Sequence, residues 1–487
     1  MENIYRMLKS RIFKLMLILI AMASPANSEG LEWSFGVDTF INSESKAKGL
    51  NQLSMSYEMP NGFYFGQSLY SGFFGKGDGL FIGGIDFGKR FKLKNKKLIS
   101  LGAYLGGGGG GGQVSGDGTM IKPHISLEFP YNNFTAGVGI SAISIDGSDI
   151  SSPALSYYIR KPFNISTEAM PFAKANIKNN KIKISPISVK VMQYIPTSFG
   201  NNSLNSPNNK KMNLIGGEFI FDKGENKTAF IQANGVVSGF AEGYADWILG
   251  QRIKTQMGSA KISFEYGIGA ASGGGIDAGG GLLFSAGISH KYKILESTGL
   301  RAGLQLKHAM NGEFTVVSPS VDLYYDTYSR KKSYKRNFNQ KVHLYSGISI
   351  HKTNANYIKN NNSYSKTPAL LETTLDYFLS PNVYITGQAS TAVLGDLGGY
   401  QLGLFGVGYE KPLSSKISAS FETLMGAGGG AGVDTKGGLI GGVRSEIDYW
   451  VSPSKAITLG IGKVKSIAAG GMAPLTLNVG FKVSFRS

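Results

Sequence analysis

Apolar and polar residues alternate along nearly the whole of this chain after its first thirty positions. Val383, Ile385, Gly387, Ala389, Thr391 and Val393 fall on one side of an extended segment, with Tyr384, Thr386, Gln388 and Ser390 on the other. Val342, Leu344, Ile348 and Ile350 alternate in the same way with His343, Tyr345 and Ser349. A period of two marks a strand with one apolar and one polar face, because successive side chains leave a strand on opposite sides. In the first third of the chain this reading predicts strands over 31–42, 50–60, 62–74, 79–92, 97–108, 119–129, 133–145 and 154–163. The later thirds yield eight each, so about 24 strands in all, many of them longer than the about 5 to 6 residues usual in soluble domains. A tilted strand needs about 9 to 11 residues to cross a bilayer.

The pattern also repeats at long range. Residues 264–292 return almost in register as 421–449: Phe264/Phe421, Glu265/Glu422, Asp277/Asp434, Gly281/Gly438, Leu282/Leu439 and Tyr292/Tyr449 share one offset. A looser copy occupies 98–131, with Asp117 after the glycine run at 106–112. Self-similarity of this kind makes each copy one building unit, here of roughly 160 residues and present three times. The units are expected at about 29–164, 181–328 and 341–487. Glu265 and Glu422 lie near the opposite end of a hairpin arm from Asp277 and Asp434, so repetition accounts for them without an active site. The glycine clusters lack the strand-to-helix switch, lysine and hydroxyl of a phosphate-binding loop. They are read instead as places where strands bend or backbones approach closely, or as hairpin tips.

Turn chemistry separates the two ends of the strands. Residues 60–62, 130–133, 380–382 and 452–454 are tight Pro, Asn, Ser and Gly turns, whereas 197–211 and 353–367 are long polar loops. Short turns at one end and long loops at the other are how an outer-membrane barrel separates its periplasmic and external sides. Two long links, 164–180 and 328–340, fall on the short-turn side, between units, and are compatible with separately closed modules.

Composition sharpens the picture. The chain of 487 residues has 68 Gly, 24 Tyr, 28 Phe and no Cys, which removes disulfides and thiolate metal sites. Arg6, Lys9, Arg11 and Lys14 precede an apolar run at 15–23 and the small residues Ala26, Asn27 and Ser28, the pattern of a secretory signal peptide over 1–28. No later segment is apolar over the about 20 residues of a spanning helix, so a membrane would be crossed by strands. The formal net charge of +18 suggests anionic partners, and export argues against nucleic acid. The dense basic clusters, 92–97 and 330–336, read as solvated turns or linkers. His124, His290, His308, His343 and His351 show no metal-ligand spacing, no nucleophile elbow is present, and no cofactor is implied. The chain is therefore not expected to be an enzyme.

The last strand carries a more specific signal. In 474–485, Leu475, Leu477, Val479, Phe481, Val483 and Phe485 alternate with Thr476, Asn478, Gly480, Lys482 and Ser484. Asn478, Gly480, Val483 and Phe485 resemble the C-terminal strand of bacterial outer-membrane β-barrel proteins, although Arg486 and Ser487 follow the aromatic residue on which that family usually ends. The resemblance implies recognition by the barrel-assembly machinery and residence among outer-membrane lipids. The resulting expectation is an all-β transmembrane antiparallel barrel of about 24 strands over 29–487, closed as one ring. Three separate eight-stranded barrels are the alternative. The expected function is a pore or conduit for solutes, favouring anions, with a surface structural or adhesive barrel presenting polar external loops as the alternative.

Overall fold

A computed structural model describes residues 30–486 apart from 42–43, 60, 76–78, 111–113, 132–133, 164–184, 199–210, 224–225, 258–259, 296–297, 311, 326–340, 355–356 and 360–363. The segment 1–28 expected to be a signal peptide and the basic cluster at 330–336 lie outside the described residues. The first unit holds β1 (Gly30–Phe40), β2 (Ala47–Glu58), β3 (Phe63–Gly75), β4 (Phe81–Lys92), β5 (Leu98–Gly109), β6 (Thr119–Pro130), β7 (Thr135–Ile145) and β8 (Ser151–Phe163). The second holds β9 (Ser185–Ser198), β10 (Met212–Lys223), β11 (Lys227–Ser238), β12 (Ala245–Met257), β13 (Ala260–Ser272), β14 (Leu282–Lys293), β15 (Thr298–Ala309) and β16 (Thr315–Tyr325). The third holds β17 (Lys341–Lys352), β18 (Ala369–Phe378), β19 (Val383–Leu394), β20 (Gln401–Pro412), β21 (Ile417–Gly429), β22 (Leu439–Ser452), β23 (Lys455–Ser466) and β24 (Leu475–Arg486).

All-β structure, 24 antiparallel strands and a repeat of eight are as expected, but closure into one ring is not. β1 pairs with β8, β16 with β9, and β17 with β24, so each unit closes on itself into an eight-stranded barrel. Phe35 stands opposite Ile159, and Gly347 opposite Gly480. The physical reason is that each unit already has two matched edge strands, and pairing them within the unit removes both exposed edges. The long links between units then join finished barrels.

The three barrels pack side by side in a cyclic order. β5 of the first lies against β19 of the third, β21 of the third against β11 of the second, and β13 of the second against β3 of the first. In each contact the fifth strand of one unit meets the third strand of another. Tyr57 from the first barrel joins Val342, Tyr377, Val483 and Phe485 from the third in one buried cluster, with Phe219 of the second packed against it. Strands six to eight of each unit face mainly outward instead. Their exposed side chains include Ile140, Tyr157 and Ile159, then Ile288, Leu304 and Val321, then Ile447, Leu459 and Ile461. This apolar exterior around polar interiors is the solvation pattern of a barrel immersed in lipid.

Candidate functional site

Alternation along each strand carries charge into the lumens. On β22, Val443, Ile447 and Tyr449 are exposed on the outer face while Arg444, Glu446 and Asp448 are buried on the inner one. An eight-stranded barrel is just wide enough for side chains to fill it, so inward groups from opposite walls meet. In the third barrel Arg444 contacts Glu372 of β18, reaches Glu422 of β21 at 2.7 Å and lies 3.0 Å from Glu446. Lys482 of β24 lies 3.0 Å from Glu446 and 2.9 Å from Asp448.

The other barrels hold equivalent networks from different positions. In the second, Arg252 donates to Glu218 at 2.8 Å and to Glu265 at 2.6 Å, while Arg301 donates to Glu218 at 2.9 Å and also to Asp322. In the first, Arg90 lies 2.6 Å from Glu32, and Arg160 is clamped by Glu32 and Glu128. Arg252 and Arg301 are each 1% exposed. Removing such charges from water costs several kcal/mol apiece unless they are paired, and arginine's fork meets carboxylates on two sides.

Each lumen has a second, apolar half at the long-loop end. Tyr70, Leu80, Ile82, Tyr104 and Met120 fill it in the first barrel, Tyr194, Met212, Tyr244 and Phe314 in the second, and Tyr357, Leu370, Tyr400 and Met472 in the third. Between the halves, Lys122 donates to Asp38 at 2.6 Å and to Tyr70 at 3.1 Å, and Lys307 lies 3.0 Å from Asp246. A polar cavity of about 50 Å³ remains in the first barrel, bordered by Asp86, Arg90, His124, Glu128 and Arg160, with room for a few waters.

The residues singled out in the sequence are dispersed among these features. Glu265 and Glu422 enter the networks of the second and third lumens, where Glu422 also accepts from Tyr384 at 2.8 Å. The repeated aspartates sit in long-loop turns instead. Asp277 accepts from Gly279 at 3.0 Å, Asp434 pairs with Lys436, and Asp117 accepts from the Asp396 amide at 2.8 Å across two barrels. The structure thus separates the acids of each repeat.

On β24, Asn478 points inward and donates to Glu372 at 3.2 Å, whereas Val483 and Phe485 are buried in the cluster with Tyr57. Gly480 leaves room for the Tyr345 ring. The histidines are scattered: His124 lies 3.0 Å from Asp86, His351 3.1 Å from the Tyr357 hydroxyl, and His308 2.8 Å from Thr315. Residues the sequence reading passed over are Arg90, Arg160, Arg252, Arg301, Arg444 and Lys482. Their signal was present as charged residues on the face opposite an apolar one, as in Arg444, Glu446 and Asp448.

No family model matches the chain, and no curated protein matches it in sequence. Among solved structures, OpdQ of Pseudomonas aeruginosa is 10% identical, with 94% of this chain and 97% of that one covered, at a TM-score of 0.20. A bacterial polysaccharide outer-membrane secretin is 9% identical, covering 94% and 98%, at a TM-score of 0.23. A ferric enterobactin receptor of Pseudomonas aeruginosa, PfeA, solved with enterobactin, is 8% identical, covering 95% and 82%, at a TM-score of 0.28. TM-scores this low establish no common arrangement of strands. What the chain shares with outer-membrane barrels in general is seen in its own geometry: closed antiparallel strands, an apolar exterior and a polar interior.

Proposed function

We propose that this chain is an exported outer-membrane protein whose three barrels are gated passages for small ions, shut in the conformation described here. The observation that carries this reading is the charged half of each lumen, where arginines are held by carboxylates from opposite walls. Replacing buried ion pairs by apolar residues of similar volume is often neutral or stabilising, so cross-lumen pairs suit a wall that rearranges better than one that only holds together. The wide, open pore of a solute conduit is replaced in this reading by a narrow, gated one. Selectivity follows lumen charge rather than chain charge. In the first barrel Glu32, Glu58, Glu128, Asp38 and Asp86 stand against Arg90, Arg160 and Lys122. In the third, Glu372, Glu410, Glu422, Glu446, Asp376 and Asp448 stand against Arg444, Lys341 and Lys482. Cations are therefore the favoured ions of the first and third barrels, contrary to the anion preference expected from the net charge of +18, while the second balances Glu218, Asp246, Glu265 and Asp322 against Lys190, Arg252, Arg301 and Lys307. The signal peptide over 1–28 and recognition of Asn478, Gly480, Val483 and Phe485 by the assembly machinery belong to the same proposal.

The apolar half of each lumen favours a second reading, a permanently sealed barrel that serves as a surface platform. Planar-bilayer recording separates the two. The conduit reading expects rare, cation-selective openings from the native chain and frequent ones from Arg444→Ala or Tyr70→Ala. Silent bilayers from native and variant protein alike, with strand content intact by circular dichroism, would leave the platform reading in possession.

A further inference from the structure

The two ends of the barrels differ sharply in surface charge. Lys92 and Lys97 in the first barrel, Lys227 and Lys293 in the second, and Lys411 and Lys416 in the third are exposed at the short-turn end. Among the residues whose side chains are described, no exposed Asp or Glu stands at that end, since Glu58 and Glu410 turn inward to Arg90 and Lys341. The long-loop end is mixed, with exposed Lys46, Lys352 and Lys366 among exposed Glu44, Asp146, Asp149, Glu313 and Asp396.

The lysine-bearing end also carries an aromatic girdle on its outer face. Phe91, Tyr131, Phe134, Tyr292, Tyr409 and Tyr449 are all exposed there. Lysines lie over rings of this girdle: Lys89 is 4.7 Å from the Phe63 centroid, Lys97 5.4 Å from Phe129, and Lys291 4.8 Å from Tyr324. Aromatic side chains settle at the boundary between hydrocarbon and headgroups, and lysine stems lie along apolar surface with the ammonium at headgroup level. We infer that the short-turn end is a docking surface for anionic phospholipid headgroups, a ring of lysines around all three barrels engaging the phosphates of the leaflet on that side. This rests on the membrane-embedded reading above but goes beyond it, assigning a lipid class to one leaflet. Charge complementarity singles out the occupant: a ring with no exposed carboxylate among the described side chains gains from each anionic headgroup, while a zwitterionic headgroup supplies little net attraction.

The test uses the full chain in detergent micelles, titrated with phosphatidylglycerol or phosphatidylcholine and read by lipid retention in native mass spectrometry. Phosphatidylglycerol is expected to be retained in preference, and the preference to collapse in high salt. Each lysine near a charged surface is worth about fivefold in affinity, so joint substitution of Lys92→Gln, Lys94→Gln and Lys97→Gln is expected to cost about a hundredfold. The same changes at Lys463 and Lys465, at the other end, are expected to leave retention unchanged. Equal retention of both lipids, or an equal loss from the Lys463 and Lys465 variant, overturns the inference. Vesicle flotation of the native chain distinguishes the parent reading: a chain that enters no bilayer sinks both proposals, whereas one that enters neutral and anionic bilayers alike, with no lipid preference, sinks only this one.

Discussion

The hydroxyl of Thr391 in the third barrel donates to the backbone carbonyl of Gly107 in the first at 2.8 Å, joining walls that lie far apart in the chain. Gly107 permits the contact by lacking a side chain, since a Cβ there would stand 2.2 Å from the Ala392 carbonyl oxygen. Gly107→Val is therefore expected to push β5 from β19 while leaving each barrel closed. Overpacking of this kind typically costs about 1 to 3 kcal/mol. A chain carrying a protease site within 326–340 provides the measurement: once cut, the native fragments are expected to co-migrate in a non-denaturing gel and the Gly107→Val fragments to separate more readily.

The second lumen tests the charge networks by stability. Arg301 is shared by Glu218 and Asp322, so Arg301→Leu strands carboxylates inside a closed barrel. Breaking a buried pair from one side costs about 3 to 5 kcal/mol. Arg301→Lys keeps the charge but loses the fork that spans two partners, and is expected to fall between native and Leu. Urea unfolding followed by tryptophan fluorescence checks the order, and a Leu variant as stable as native would remove the network from the account of stability.

Much of this was readable from the chain and some was not. Strand positions followed from alternation because one face of every strand meets either lipid or another barrel while the other turns into a lumen that is charged over one half of its length. Ring closure was harder. Whether β1 pairs with β8 or β24 depends on which edges come together, and alternation is the same in either case; only the links 164–180 and 328–340 pointed to separate barrels. Glu265 and Glu422 were visible through the repeat, yet their partners Arg252 and Arg444 were not, because an isolated arginine on a polar strand face looks the same whether that face meets water or a packed lumen. Net charge and lumen charge point to opposite selectivities because net charge adds lumen carboxylates to lysines standing at the strand ends. The apolar face of β24 also divides: Leu475, Leu477 and Val479 are exposed, whereas Val483 and Phe485 enter the seam between barrels.

Acid is expected to loosen the contact between the second and third barrels at their long-loop end. Glu242 there accepts from the Thr435 amide at 3.2 Å and pairs with Lys359. Burial opposes its ionisation, but the hydrogen bonds from Lys359 and Thr435 outweigh that and hold its carboxyl below the usual range. A depressed carboxyl stabilises the folded form fully above its unfolded pKa of about 4.3 and progressively less as pH falls through the lower folded value. The cut-chain gel run from neutral to acid pH should show association weakening only at the acid end. Glu242→Gln should show the weakened state at neutral pH and a flatter profile.

The divided face of β24 makes the last prediction. Val479 is 43% exposed on the outer wall, so Val479→Arg places a charge where lipid is expected, at a cost of about 2 to 4 kcal/mol near the bilayer centre and less toward its edge. Phe485, 2% exposed and 5.6 Å from the Tyr57 ring, belongs to packing between barrels, and Phe485→Ala should cost about 3 to 5 kcal/mol by leaving a cavity. The solvent separates the two effects. In bilayers both variants should unfold earlier than native, but in a detergent micelle that adapts to the arginine only Phe485→Ala should keep its full deficit. Equal deficits for Val479→Arg in both environments would mean that its side chain meets protein, not lipid.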